Sequence, residues 1–65
     1  MHANLIATEL SSKGFTTRIT QTGVLVSLNR PLASIEVEIV LDQAFWEVQF
    51  KVVRISKNSV HVSGE

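Results

Sequence analysis

The sequence predicts a small α+β domain in the order helix–hairpin–helix–hairpin (αββαββ), with a four-stranded antiparallel sheet and both helices on one face. Three observations predict it. An amphipathic stretch at the N-terminus ends in glycine. Two later stretches alternate apolar and polar residues on either side of turn residues. The second half of the chain repeats the apolar pattern of the first.

Residues 2–13 have helical spacing: Ala3, Ile6, Ala7 and Leu10 fall on one face, with Leu5 at its edge, and Gly14 follows as a stop. From Phe15 the period changes to two. Phe15, Thr17 and Ile19 point one way and Thr16, Arg18 and Thr20 the other. Thr22 and Gly23 supply turn chemistry, with Gly23 free to take positive φ. Val24, Val26 and Leu28 then face inward on the return strand. Pro31 ends this hairpin, because it has no N–H to donate and biases Arg30 away from helix.

Residues 34–44 are ambiguous. As a strand, Ile35, Val37, Ile39 and Leu41 share a side. As a helix, Ser34 is the N-cap, Glu36 complements the dipole, and Val37, Val40, Leu41 and Ala44 form the stripe. The strand alternative gives one N-terminal helix on a four- or five-stranded sheet. Residues 46–55 alternate again, with Trp46, Val48, Phe50 and Val52 inward and Glu47, Gln49, Lys51 and Val53 outward. Lys57-Asn58 is a turn in which Asn tolerates left-handed geometry, and Val60 and Val62 face inward on the last strand.

An internal echo favours the second helix. Residues 22–27 line up with residues 58–63 as turn residues followed by Val-x-Val-Ser. Upstream, Ile6, Leu10, Phe15, Thr17 and Ile19 line up with Val37, Leu41, Trp46, Val48 and Phe50 at constant offset, which makes the second hairpin the longer one. The predicted core centres on Trp46, Phe50, Phe15, Ile6, Leu10 and Leu41.

The 65 residues form a single domain, 1–65. Apolar residues make up 45% and charged residues 18%, the reverse of the composition of disordered chains. There is no cysteine, so no disulfide adds stability. At this length apolar burial roughly offsets the entropy of ordering the chain. Self-association, which buries further area, is therefore expected. No apolar run reaches the roughly 20 residues that span a bilayer, and no signal-peptide pattern opens the chain, so a cytoplasmic location and no membrane partner are expected.

Chemistry-bearing patterns are sparse. There is no glycine-rich phosphate loop and no Cys or Tyr, and His2 and His61 read as exposed, unpaired side chains. The expectation is a non-enzymatic protein without cofactor, metal or small-molecule substrate. Glu36, Glu38, Asp42 and Glu47 lack the supporting loop a divalent-cation site needs and read as a solvated or partner-facing acidic segment. Six basic and six acidic residues give zero net charge, arranged along the chain as basic, acidic, basic.

Apolar residues at outward strand positions are the most informative feature. Leu25, Val53 and Ile55 lie opposite the core stripe and predict a sheet face that packs on another chain. Glu36, Glu38 and Asp42 provide a second, charged contact, and the strand holding Val60 and Val62 provides an edge for strand addition. The function expected is a self-associating protein-interaction module, a homo-oligomer or the partner of another protein. Small Cys-free chains of this kind are common among accessory proteins of phages and mobile elements. The alternative is a nucleic-acid-binding module using Arg18, Lys51, Arg54 and Lys57, although the aromatic platform that stacks single-stranded bases is missing.

Overall fold

The structure, a computed structural model, describes residues 2–64. It is an α+β domain of two helices and one open, four-stranded antiparallel sheet. The elements run α1 (Ala3–Ser12), β1 (Thr16–Ile19), β2 (Gly23–Ser27), α2 (Ser34–Ala44), β3 (Phe50–Ser56) and β4 (Ser59–Gly64). The strand order is β1-β2-β4-β3, so the final strand lies between β2 and β3. The terminal strand expected to offer an edge is thus interior. Both faces of its backbone ladder are used, and the edges are β1 and β3 instead.

Helix α1 buries Ile6 and Leu10 and stops where the sequence stops it. Gly14 has φ +97°, its N–H donates to the Ser11 carbonyl, and the Phe15 N–H reaches back to the Leu10 carbonyl. These two bonds form a Schellman motif, and its left-handed position accepts glycine most readily.

Residues 34–44 form a helix that buries Val37 and Leu41. Its N-cap is Ala33 rather than Ser34. The carboxylate of Glu36 accepts the Ala33 N–H at 3.0 Å, which is half of a capping box. Arg30 holds that carboxylate in place, with Nη2 donating to Oε1 at 2.8 Å and Nη1 to Oε2 at 3.3 Å. The residue before Pro31 thus braces the start of the next helix.

The core is wholly aliphatic. Ile6 and Leu10 of α1, Val37 and Leu41 of α2, Val24 and Val26 of β2, Val60 and Val62 of β4, and the loop residue Leu32 are buried together. Register puts Val24 opposite Val62 and Val26 opposite Val60, so these four share the sheet face that the helices cover. Phe15 and Phe50 are only half-buried against this cluster.

Trp46 departs most from expectation: it is 77% exposed. The alternation from Trp46 to Gln49 is not a strand. Phe45 closes α2 by donating to the Leu41 carbonyl, the Val48 N–H turns back to the Phe45 carbonyl, and β3 begins only at Phe50. Val48 is exposed with Trp46. Thr17 lies opposite Val26 and Val52 opposite Val62, so Phe15 corresponds to Phe50 and not to Trp46. Four of the five extra residues of the second half therefore belong to the α2–β3 connection, and the fifth, Ile55, to the second hairpin.

Two turns use other geometry than expected. Gly23 does not have positive φ. It opens β2, where a Cβ would overlap the Val62 carbonyl oxygen, so glycine is required by close approach. No non-glycine residue among those described has positive φ. The Lys57-Asn58 turn instead joins strands whose register shifts between Arg54 and Ser56, leaving Ile55 as a bulge.

Candidate functional site

The helices cover one sheet face and leave the other bare. Across the bare face one row spans all four strands: Arg18, Leu25, His61 and Val53, each opposite the next. A parallel row holds Thr16, Ser27, Ser59 and Ser56, and Lys51 lies opposite Ser63. Two of the three apolar residues expected to mark an interaction face are therefore neighbours of one histidine. Leu25 is half-buried and Val53 is 41% exposed. Ile55 is 57% exposed but sits at the bulge, outside the regular rows.

His61 is neither fully exposed nor unpaired. Its Nε2 lies 2.8 Å from Thr20 Oγ1 and 3.4 Å from Thr22 Oγ1, and Thr20 Oγ1 also accepts the Gly23 N–H at 3.0 Å. The β1–β2 turn thus fixes the ring from the far side of the central strand pair. The residues concerned are 41 positions apart, so no local pattern announces the contact.

The four basic residues considered for nucleic acid do not share a surface. Arg18 and Lys51 are on the bare face but on opposite edge strands. Arg54 lies opposite Val60, hence on the helix-covered side, and its Nη1 donates to the carbonyls of Ser56 and Lys57 at 3.1 and 3.3 Å. Lys57 is in the turn that Arg54 braces.

The acidic residues divide in the same way. Glu36 is engaged within the fold, by Arg30 and the Ala33 N–H. These bonds hold its carboxyl below the ordinary carboxylate range and push the Arg30 guanidinium up. Among the described residues, ion pairs join only Glu9 to Lys13, at 4.0 Å, and Arg30 to Glu36; Glu38 and Asp42 make none.

Glu38 and Asp42, one turn apart on α2, instead line a cavity of about 330 Å³ whose other walls include Trp46, Val48, Gln49 and Phe50. A second, apolar cavity of about 220 Å³ opens on the other side of Val48 and Phe50, against Leu5, Ile6 and Phe45. Phe45 and Phe50 stand edge to face at 6.1 Å between the ring centres. The α2–β3 connection is thus flanked by two hollows with an exposed indole beside them. Reading residues 46–49 as strand hid this feature. The one available signal was its position next to the acidic segment.

Among the described residues no group of three or more His, Asp or Glu side chains could hold a metal ion, and no helix is long and apolar enough to cross a membrane. Comparison with family models, with curated proteins and with solved structures finds no match to this chain.

Proposed function

We propose that this chain is a non-catalytic protein-interaction module that self-associates through the bare face of its sheet. The observation that carries the reading is a four-stranded sheet covered on one side only, with Leu25 and Val53 flanking His61 in its central row and Ile55 exposed beside it. A core of nine buried aliphatic side chains among the described residues is small for a free-standing domain, and a second layer on the bare face would add apolar burial. Face rather than edge carries the contact, because the longer edge strand, β3, is interrupted by the bulge at Ile55.

Light scattering on the native chain and on Val53→Glu tests the reading. Association of the native chain that Val53→Glu abolishes, with the melting transition of the variant monomer retained, supports it. A native chain that stays monomeric up to millimolar concentration overturns it.

Nucleic-acid binding is the second reading. One observation favours it: the charged side chains of the bare face, among the described residues, are all cationic. Against it stand the separation of Arg18 from Lys51, the engagement of Arg54 in its own turn, and the lack of a Phe, Tyr or Trp side chain on that face among the described residues. A labelled oligonucleotide at low salt distinguishes the two: a shift lost in Lys51→Ala and Lys57→Ala variants supports nucleic acid.

A further inference from the structure

The bare sheet face is chemically one-sided. Among the described residues its rows carry Arg18 on β1 and Lys51 on β3 and no carboxylate. Two such faces laid together would bring four cations into one interface with no carboxylate among the described residues of either face to meet them. That arrangement selects against itself.

The chain carries a matching surface on its helix layer. Ile35, Glu38, Ile39 and Asp42 fall within about 100° of arc on α2, at 100° per residue. All four are exposed, and both carboxylates are without an ion pair among the described residues. Glu38 and Asp42 lead into the cavity beside Trp46, the most exposed large apolar side chain described. One surface is therefore aliphatic and cationic. The other is aliphatic and anionic and ends in an indole.

We infer that self-association, on the reading proposed above, is head to tail: the bare sheet face of one copy seats on the α2 strip and Trp46 cavity of the next. Arg18 and Lys51 meet Glu38 and Asp42, and Trp46 is the anchor. Leu25 and Val53 cover Ile35 and Ile39. Trp and Arg are the side chains most often found to dominate interfaces, and a guanidinium over an indole adds a cation–π attraction. The two halves of the contact are different surfaces, so the contact does not close on itself as a two-fold dimer. It builds rings or open chains, and it weakens as salt screens the pairs.

The test uses two charge-reversed variants of the full chain, one carrying Arg18→Glu and Lys51→Glu, the other Glu38→Lys and Asp42→Lys. All four positions are exposed, and circular dichroism checks that each variant folds. Each variant alone is expected to be monomeric by analytical ultracentrifugation. A face-reversed chain still has native Glu38 and Asp42 but now presents acid on its sheet; a strip-reversed chain presents base on both surfaces. An equimolar mixture is expected to associate again in alternating order, native sheet face on native strip at one contact and acidic face on basic strip at the next, and to grow with concentration as the native chain does. A chain with all four reversals is expected to self-associate again. An associating native chain whose mixed variants stay monomeric, or stop at a 1:1 complex of acidic face on basic face, overturns the head-to-tail contact and leaves face-mediated association standing. Variants that associate alone as the native chain does also overturn it. A native chain that is monomeric at millimolar concentration overturns both readings.

Discussion

Leu25 and His61 lie directly opposite one another on the two central strands, and the fold is close to two-fold symmetric about that pair. In sequence, Val24 corresponds to Val60 and Val26 to Val62. In space, Val24 lies opposite Val62 and Val26 opposite Val60, as an axis through the Leu25–His61 pair requires. Each helix buries a matching pair, Ile6 and Leu10 in α1 and Val37 and Leu41 in α2. Symmetry holds in the core and fails on the bare face. There Leu25 corresponds to His61 and Arg18 to Val53. The core residues are constrained by packing; the bare-face residues differ in charge and polarity.

Gly14 and Gly23 separate a conformational from a steric requirement. Gly23→Ala sets a methyl group against the Val62 carbonyl inside the central strand pair, and a loss of more than about 2 kcal/mol is expected. Gly14→Ala meets no atom within 4 Å and carries only the left-handed penalty, about 1–2 kcal/mol. Urea denaturation of both variants gives the order.

Leu10→Ala is expected to cost about 2–5 kcal/mol, since the side chain is fully buried between helix and sheet. Trp46→Ala is expected to leave stability within about 0.5 kcal/mol, because most of the indole is in solvent. An equal loss in both would mean that the indole packs in the core after all. Thermal melts of the two variants at a concentration where the chain is monomeric decide it.

Glu36 links stability to acid. Its folded pKa lies below its unfolded value, so its contribution is complete above the ordinary carboxylate range, about 4.3, and is lost as pH falls through the folded value. Glu36→Gln keeps an oxygen that can accept the Ala33 N–H and removes the charge facing Arg30. The variant is expected to melt below the native chain at pH 7, with the gap constant down to about pH 5 and closing below about pH 4. A gap that does not depend on pH would assign the effect to the cap alone.

Thr20→Val removes the oxygen that serves both His61 Nε2 and the Gly23 N–H. A loss of about 1–2 kcal/mol is expected from the unsatisfied Gly23 donor. In the same variant the His61 ring resonances are expected to shift by NMR, while those of His2 stay in place.

What could be read without coordinates follows from what has a period. Ile6, Leu10, Val24, Val26, Val60 and Val62 repeat at helical or strand spacing, and each is buried. Residues 34–44 satisfied both periods, and matching Val37 and Leu41 to Ile6 and Leu10 favoured the helix, which the backbone hydrogen bonds form. Leu32 is a core residue that no periodicity could mark. It stands alone in a connection, and its N–H is held by the Lys57 carbonyl of the other hairpin. Trp46 and Val48 alternate as strand residues do, yet the chain needs that length to pass from the end of α2 to an edge of the sheet. The site divides along the same line. Leu25 and Val53 were legible from alternation, whereas the hydrogen bonds of His61, Glu36 and Arg54 depend on which segments meet.

The bulge at Ile55 also bears on what the chain avoids. Strand β3 is the longest in the sheet and an edge, and without an interruption the run Phe50–Ser56 would offer a straight row of free amides and carbonyls rich in β-branched side chains. Such a row is a template for fibril growth. The register shift between Arg54 and Ser56 limits the regular run to Phe50–Arg54, and the Arg54 guanidinium binds the carbonyls of Ser56 and Lys57 beyond it. An edge interrupted in this way is a poor template for polymerisation through the backbone.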